Sequence, residues 1–391
     1  MNLLEEKSLY YPIEKLCQVI DCEHKTAPYV ESSNYLVVRT SNVRNGNLVL
    51  NDIKHTTKEG FLEWTQRAVP RYGDVLFTRE APAGESCLVP SQLNLCIGQR
   101  MVLLRPNQEL ISSEFLSIYL ISEKCKREIY KYSIGSTVAR INIEDILKIR
   151  IVCPSLKEQE KIASFLGAVD ARLTQLRRKR ELLQTYKRGI MQKIFSQEIR
   201  FRGAIGLDFP NWEEKKLKSI AIINPSPKNF PDQFLYIDLE SVNNGILGEP
   251  EFLDKENAPS RAQRVLKKGD ILYQTVRPYQ RNNLCFSLDG DYVASTGYTQ
   301  LRARESPQFL YQLIHSDNFV DKVVSLCTGT SYPAINSSDL ADISIFLPDS
   351  IEEQEKIANF LTAIDRKIEA VSRQLDRSER FKQGLLQKMF I

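Results

Sequence analysis

The sequence predicts an α+β protein in which two similar α/β globular units are separated by two long helices that pair as an antiparallel coiled coil. Two observations favour this fold class. A helical segment that starts at residue 158 returns at residue 353, and the mixed strand-and-turn segment ahead of each copy is repeated as well. A repeat must be identified before single elements are assigned, because overlooking it misassigns the whole fold.

The helical repeat is the more specific of the two. Residues 158–163 and 353–358 both read Glu-Gln-Glu-Lys-Ile-Ala, and the match continues in one register to the Gln-Lys pairs at residues 192–193 and 387–388. We therefore predict a globular unit over residues 1–155, a long helix over 156–199, a second unit over 200–350 and a second long helix over 351–391.

Apolar residues recur in both helices at steps of three and four, which is the narrow seam of a coiled coil rather than a broad globular face. The seam residues are Ile162, Leu166, Val169, Leu173, Leu176, Leu183, Ile190 and Ile194, then Ile357, Leu361, Ile364, Ile368, Val371, Leu375, Leu385 and Met389. Polar residues interrupt the seam at Arg180, Lys187, Ser378 and Lys382. Two ordinary amphipathic helices, each packed on its own unit, remain the alternative. We favour pairing of the two copies, since polar seam residues set register and partner choice.

The globular units repeat the same order of short elements. A strand at Tyr35–Val38 precedes an Asn-Gly turn at residues 45–46, and Phe234–Ile237 precedes the equivalent turn at 244–245. A Gly-Asp turn then leads into a buried strand in each unit, at residues 73–77 and 269–273. In the first unit we also expect one helix from Ser113 to about Lys131, capped by Ser112 or Ser113, and a last strand at Ile149–Val152.

Composition sets limits on function. The 391 residues carry a net charge of only +4, so binding of nucleic acid must depend on where the charges lie. No apolar run approaches the roughly 20 residues of a membrane span. The eight cysteines are scattered without a Cys-x-x-Cys pair, as expected of reduced thiols in a cytoplasmic protein. We predict no metal and no cofactor.

The two units differ in the loops that follow the Gly-Asp strand and precede the last strand, at residues 78–86 and 135–140, then 274–283 and 329–333. Arg, Gln, Asn and Tyr are frequent there, and such side chains hydrogen-bond the edges of DNA bases. Solvated loops are polar for other reasons too, and that alternative stays open for each residue. The candidate DNA-binding residues are Arg79, Ser86, Ser136, Thr137, Arg140, Gln274, Arg277, Tyr279, Gln280, Arg281, Asn282, Thr330, Ser331 and Tyr332.

With these motifs the whole chain resembles the specificity subunits of type I restriction–modification systems. The resemblance depends most on the two Glu-Gln-Glu-Lys-Ile-Ala helix starts, and then on the Gly-Asp strands and the Gly-Ser/Thr loops at residues 135–137 and 329–331. It implies that each globular unit is a target recognition domain for one half of a split DNA site. It also implies that the long helices separate these domains and bind two modification (DNA adenine methyltransferase) subunits, which act with restriction/translocase subunits.

Since the two units differ in their loops, we expect an asymmetric bipartite target, read by a subunit that is not itself an enzyme. No Gly-Lys-Ser/Thr phosphate loop and no Asn-Pro-Pro-aromatic motif occurs. A stand-alone DNA nuclease that uses Asp232, Asp238 and Glu240 to hold Mg²⁺ is the alternative enzyme. A coiled-coil scaffold without affinity for DNA is the third interpretation.

Overall fold

The structure, a computed structural model, describes residues 9–22, 27–135, 139–203, 206–329 and 331–390. Its contacts divide the chain into two compact units. The first unit contains the chain up to Arg177 together with the residues from Arg373 onward, and the second unit contains Arg178–Ser372. Each unit therefore holds one globular region and one half of each long helix.

The first unit has eleven strands and five short helices among its described residues, followed by the first long helix. The strands are β1 (Leu9–Pro12), β2 (Cys17–Asp21), β3 (Tyr35–Val38), β4 (Val43–Arg44), β5 (Asn47–Leu48), β6 (Lys54–Thr56), β7 (Val75–Thr78), β8 (Ser86–Leu88), β9 (Asn94–Ile97), β10 (Met101–Pro106) and β11 (Arg150–Cys153). The helices are α1 (Ile13–Leu16), α2 (Lys58–Trp64), α3 (Ser113–Leu120), α4 (Glu123–Tyr132), α5 (Ile143–Lys148) and the long α6 (Leu156–Phe195).

The second unit repeats this order. Its strands are β12 (Glu213–Lys216), β13 (Ala221–Ile223), β14 (Gln233–Ile237), β15 (Val242–Asn243), β16 (Ile246–Leu247), β17 (Glu251–Asp254), β18 (Ala262–Val265), β19 (Asp270–Gln274), β20 (Leu284–Cys285), β21 (Tyr292–Ser295), β22 (Tyr298–Ala303) and β23 (Ser344–Leu347). Its helices are α7 (Leu217–Ile220), α8 (Pro307–Leu313), α9 (Asp317–Leu326), α10 (Ser337–Ala341) and the long α11 (Ile351–Met389).

Sheet topology confirms that the units share one scaffold. The central antiparallel sheet has the order β2-β10-β7-β8 in the first unit and β13-β22-β19-β20 in the second. A second sheet in each unit is built on a parallel pair, β3 with β9 and β14 with β21. The second unit adds an edge strand, β18, to this sheet. The predicted Asn-Gly turns are also present, since Asn45, Gly46, Asn244 and Gly245 all have positive φ between two short paired strands.

The Gly-Asp motif is explained by a buried ion pair in the central sheet. Asp270 is 1% exposed, and its two carboxylate oxygens accept hydrogen bonds of 2.7 Å from Nε and Nη2 of Arg302 on the neighbouring strand. Asp74 and Arg105 repeat this contact in the first unit, at 2.9 and 2.8 Å. The glycine ahead of each aspartate has a φ near +90°, which favours glycine. The motif therefore joins two strands of each central sheet.

One predicted element is wrong. The segment from Ser113 to Lys131 forms two helices, α3 and α4, rather than one. Ser122 ends the first by donating to the carbonyl of Tyr119 and caps the second by accepting from the Cys125 amide. Serine competes in this way with the helix backbone. The predicted cap at Ser112 is confirmed, because its hydroxyl accepts from the Phe115 amide.

The long helices pair antiparallel within each unit, as predicted. In the first unit Asp170 of α6 contacts Lys382 of α11, and Arg177 contacts Glu379, so the partner number falls as the residue number rises. In the second unit Lys187 contacts Asp365. The alternative, in which each long helix packs only on its own unit, is wrong.

Each globular core also receives the end of the helix that begins in the other unit. In the first unit Phe390 lies 5.2 Å from Tyr119 and 6.0 Å from Phe115, measured between ring centroids. In the second unit Phe195 lies 6.2 Å from Phe309. These two phenylalanines occupy equivalent positions in the repeat, so both units bury the same aromatic contact.

The repeated helix start has a packing role as well. Gln159 is fully buried, and its amide donates to the Pro154 carbonyl at 2.9 Å while its oxygen accepts from the Ser112 amide. Gln354 repeats the contact to the Pro348 carbonyl, also at 2.9 Å. The repeated glutamine therefore fixes the strand-to-helix turn that the repeated proline opens.

Candidate nucleic-acid interface

The two candidate loops of each unit lie side by side. In the first unit the Ile141 amide donates to the Arg79 carbonyl at 2.9 Å, and Glu80 pairs with Arg140 as an isolated β-bridge. In the second unit the Ile335 amide donates to the Thr275 carbonyl at 3.1 Å, and Val276 pairs with Ala334. We call each of these paired-loop regions a loop clasp. The same backbone clasp thus carries different side chains in the two units.

The candidates of the first clasp differ in accessibility. Arg79 is only 8% exposed, its Nε donates to the Ile141 carbonyl at 3.2 Å, and burial lowers the pKa of its guanidinium. Ser86 is fully buried in β8, opposite Phe77, which favours a packing role over contact with a base. Arg140 is exposed. Ser136 and Thr137 lie outside the described residues.

Three candidates of the second clasp stabilise the loop through contacts within the protein. Gln274 is 7% exposed, and its side-chain amide donates to the Val276 carbonyl at 2.6 Å. Arg281 forms an ion pair of 2.5 Å with Asp317 and donates to the His315 carbonyl at 2.9 Å. The side-chain amide of Asn282 donates to the Val242 carbonyl at 2.7 Å. The polar groups of these residues are largely committed to the protein.

The remaining candidates of the second clasp face outward. Tyr279 and Tyr332 are 50% and 65% exposed, and Gln280 and Ser331 are exposed as well. Arg277 is partly exposed, and its guanidinium carbon lies over the Tyr332 ring, 4.3 Å from the centroid. Thr330 lies outside the described residues. The accessible hydrogen-bonding surface of this clasp is therefore concentrated on these side chains.

Sequence reasoning missed two residues that support the second clasp. Asn283 is 1% exposed, and its side-chain oxygen accepts from the backbone amide of Gln274 at 2.9 Å. Its Nδ2 lies 3.3 Å from Nε2 of His315. Nδ1 of His315 lies 2.6 Å from the Tyr311 carbonyl and acts as the donor there, which leaves Nε2 as an acceptor for Asn283. Burial lowers the pKa of His315 to about 4, so the ring is neutral at pH 7. A buried asparagine beside exposed polar residues gives no signal of its own in the sequence.

One carboxylate of the nuclease alternative, that of Asp238, has a structural role. Oδ1 of Asp238 accepts from the amides of Glu240 and Ser241 at 3.0 and 2.8 Å and from the Ser241 hydroxyl at 2.7 Å. Burial raises the pKa of Asp238, but these hydrogen bonds outweigh it and the pKa is lowered. Among the described residues no group of three His, Cys, Asp or Glu side chains is placed to hold a metal ion. Asp238 therefore stabilises the turn that precedes β15.

The helices of the described part of the chain include none with the length and apolar character needed to cross a membrane.

Comparison with known proteins agrees with this geometry. A family model described as the type I restriction modification DNA specificity domain matches twice, over residues 11–184 and 210–377. The type I restriction enzyme MjaVIII specificity subunit of Methanocaldococcus jannaschii is 26% identical over 271 residues, 64% of this chain and 64% of that protein. This chain therefore spans less than two thirds of that relative.

Two further matches cover more of the chain. The putative type I restriction enzyme MjaX specificity subunit of the same organism is 26% identical over 358 residues, 84% of this chain and 81% of that protein. The crystal structure of a type I restriction–modification S subunit from M. genitalium shares the fold, with a TM-score of 0.64 at 17% identity over 100% of this chain and 98% of that one. Because the family model matches twice and covers most of the sequence, the chain belongs to the type I restriction–modification specificity family, whose DNA specificity domain it contains in two copies.

Proposed function

We propose that this chain reads an asymmetric bipartite DNA target, one half-site with each loop clasp. It directs the modification and restriction subunits of a type I complex to that target and performs no catalysis itself. The observation that carries the proposal is a duplicated scaffold with unlike clasps.

Differences between the clasps support asymmetry. At equivalent positions before a proline, the first clasp has Glu80-Ala81 and the second has Val276-Arg277. Arg140 of the first clasp corresponds to Ala334 of the second, as the paired bridges align them. Because phosphate contacts carry no sequence information and base-edge contacts do, unlike side chains on one scaffold select unlike half-sites.

The long helices have the dimensions of a spacer. The 40 residues of α6 form a helix of roughly 60 Å at 1.5 Å per residue. Half-sites on one face of B-DNA lie about 34–36 Å apart. A helix of this length is sufficient to hold two readers at such a spacing, with the bases between the half-sites left uncontacted.

The proposed partners are inferred from the catalytic motifs that the sequence lacks and from the helices that it repeats. Methyl transfer and ATP-driven translocation need motifs that are missing from the sequence, so we assign them to DNA adenine methyltransferase and restriction/translocase subunits. A duplicated chain offers every repeated helix surface twice, which supports two copies of the modification subunit. Double-stranded DNA is the third partner.

Methylation mapping tests the proposal directly. Cells that carry the chain with its partner subunits should methylate adenines in one split, asymmetric motif, and deletion of the chain should abolish that methylation. A contiguous or palindromic motif would contradict the proposal. Cleavage of plasmid by the purified chain with Mg²⁺ would instead support the nuclease alternative.

A further inference from the structure

The two arginines of the loop at residues 274–283 are used differently. Arg281 pairs with Asp317 and with the carbonyl of His315, so its guanidinium supports the loop. Arg277 has no ion pair or side-chain hydrogen bond with any described residue, and its buried Nε lacks a partner there. The outer N–H groups of this guanidinium are therefore available to acceptors on a ligand.

The Tyr332 ring holds the Arg277 guanidinium in place. The guanidinium carbon lies 4.3 Å from the Tyr332 ring centroid, a distance at which the positive charge is attracted to the ring. An arginine held by such a contact can still present the N–H donors on its guanidinium edge to a planar pair of acceptors. Since Tyr332 is 65% exposed, a ligand can approach the pair from solvent.

The backbone at Arg277 has an uncommon, strained conformation. Its φ of 52° and ψ of 54° lie in the left-handed region, which is uncommon for residues other than glycine. The Arg277 amide donates to the Pro333 carbonyl at 2.7 Å, which joins it to the loop that carries Tyr332. Local backbone strain of this kind is frequent at functional sites.

The equivalent position of the first unit lacks the arginine. Ala81 also precedes a proline and also has a left-handed φ, 58°. The scaffold therefore accepts a small residue at this position, and the arginine is a particular feature of the second clasp. An effect of Arg277 should then be confined to one half-site.

We propose that Arg277, held against Tyr332, reads a guanine in the half-site of the second unit. This inference rests on the proposed function and adds a base and a residue to it. Guanine presents O6 and N7 as adjacent acceptors in the major groove, and an arginine fork fits this pair bidentately. Loss of such a contact lowers discrimination at that base about 5- to 150-fold.

The test is methylation mapping of complexes that contain Arg277→Ala, Arg277→Lys, Tyr332→Ala or Tyr332→Phe. In the wild-type motif one position of the second half-site should be guanine. Arg277→Ala should make that single position degenerate, and Arg277→Lys should do the same because lysine keeps the charge without the fork. Tyr332→Ala should weaken the preference for guanine, and Tyr332→Phe should retain it.

Arg261→Ala is the matched control, because Arg261 is exposed in the same unit but lies outside both loops. It should leave the motif unchanged. The inference is overturned if Arg277→Ala leaves every position of a bipartite wild-type motif unchanged, or lowers methylation equally at all sites. If Arg277→Ala does not assemble, the result with Arg277→Lys decides. Absence of a bipartite motif in the wild type would instead contradict the proposed function.

Discussion

Removal of the buried Asp270 carboxylate should lower the free energy of unfolding. Its contacts to Arg302 join the start of β19 to the end of β22, and Gln300 also donates to it at 2.7 Å. Asp270→Asn keeps the shape but removes the charge, which leaves Arg302 without its ion pair. We expect the free energy of unfolding to fall by about 3 kcal/mol. This is the lower end of the range for a broken buried ion pair, because the Arg302 side chain is 27% exposed.

The measurement is the urea midpoint of unfolding. Asp289→Asn serves as the control, because Asp289 is 82% exposed and pairs only with the exposed Lys268 among the described residues. A midpoint for Asp270→Asn equal to that of the control would contradict the structural role of the Gly-Asp motif.

His315 predicts a dependence of stability on pH. Burial, with a smaller repulsion from Lys187, lowers its pKa to about 4 from an ordinary value of 6.5. Between these values the unfolded chain binds a proton that the folded chain rejects, so stability falls as the pH decreases from 6.5 to 4. The contribution reaches about 3 kcal/mol at most.

Comparison with His315→Gln isolates the contribution of His315 to the pH dependence of stability. The wild type should lose more stability than the variant across that pH range, measured as the urea midpoint at each pH. Parallel curves for the two proteins would show that His315 is not the buried neutral group described above.

At the residue scale the sequence identified the candidate loops, but not which of their side chains form contacts within the protein. Arg277 and Arg281 look alike in sequence. They differ in the structure because the partners of Arg281, at residues 315 and 317, are more than thirty residues away. Such long-range partners depend on the tertiary fold, which local patterns do not contain.

At the scale of elements, the two lysines among the polar seam residues of the long helices pair with carboxylates. Lys382 contacts Asp170 at 2.6 Å, and its equivalent in the repeat, Lys187, contacts Asp365 at 2.7 Å. The lysine side chains are only 14% and 17% exposed. Paired in this way, they fix the antiparallel register at two equivalent points.

Charge reversal tests this register. Lys382→Glu places two carboxylates together and should lower stability by about 1–3 kcal/mol, between the values for exposed and buried pairs. Adding Asp170→Lys should restore most of the loss, as measured by thermal unfolding. Reversal of the exposed pair Arg178 and Glu181 is the control and should have little effect. A double variant no more stable than Lys382→Glu alone would contradict direct pairing.

The elements themselves were largely predictable. Strand β3 and the Ser112 cap lie where the sequence places them, because alternation and capping are local signals. The break at Ser122 was missed, because one serine inside an apolar periodic segment resembles a tolerated helix residue. The parallel pairing of β3 with β9 joins residues about sixty positions apart, and no local pattern specifies it.

At the scale of the whole molecule, duplication presents two equivalent aromatic residues to solvent. Tyr186 of α6 and Phe381 of α11 are 54% and 55% exposed, and each directly precedes a seam lysine. Large exposed aromatic side chains are frequent anchors at protein interfaces. We expect each to contact one modification subunit.

Tyr186→Asp and Phe381→Asp should each reduce the number of bound modification subunits from two to one, measured by native mass spectrometry of the reconstituted complex. Leu326→Asp, at an apolar residue 46% exposed at the end of α9, is the control and should retain two. Retention of two subunits by both aromatic variants would place the docking surface elsewhere.

The central claim is that each unit reads its own half-site independently, and a domain exchange tests it most directly. Residues 1–155 would be replaced by the corresponding region of a family member with a different target, and the methylated motif would be sequenced. We expect one half of the motif to change while the other half is retained. A change in both halves, or in neither, would contradict it.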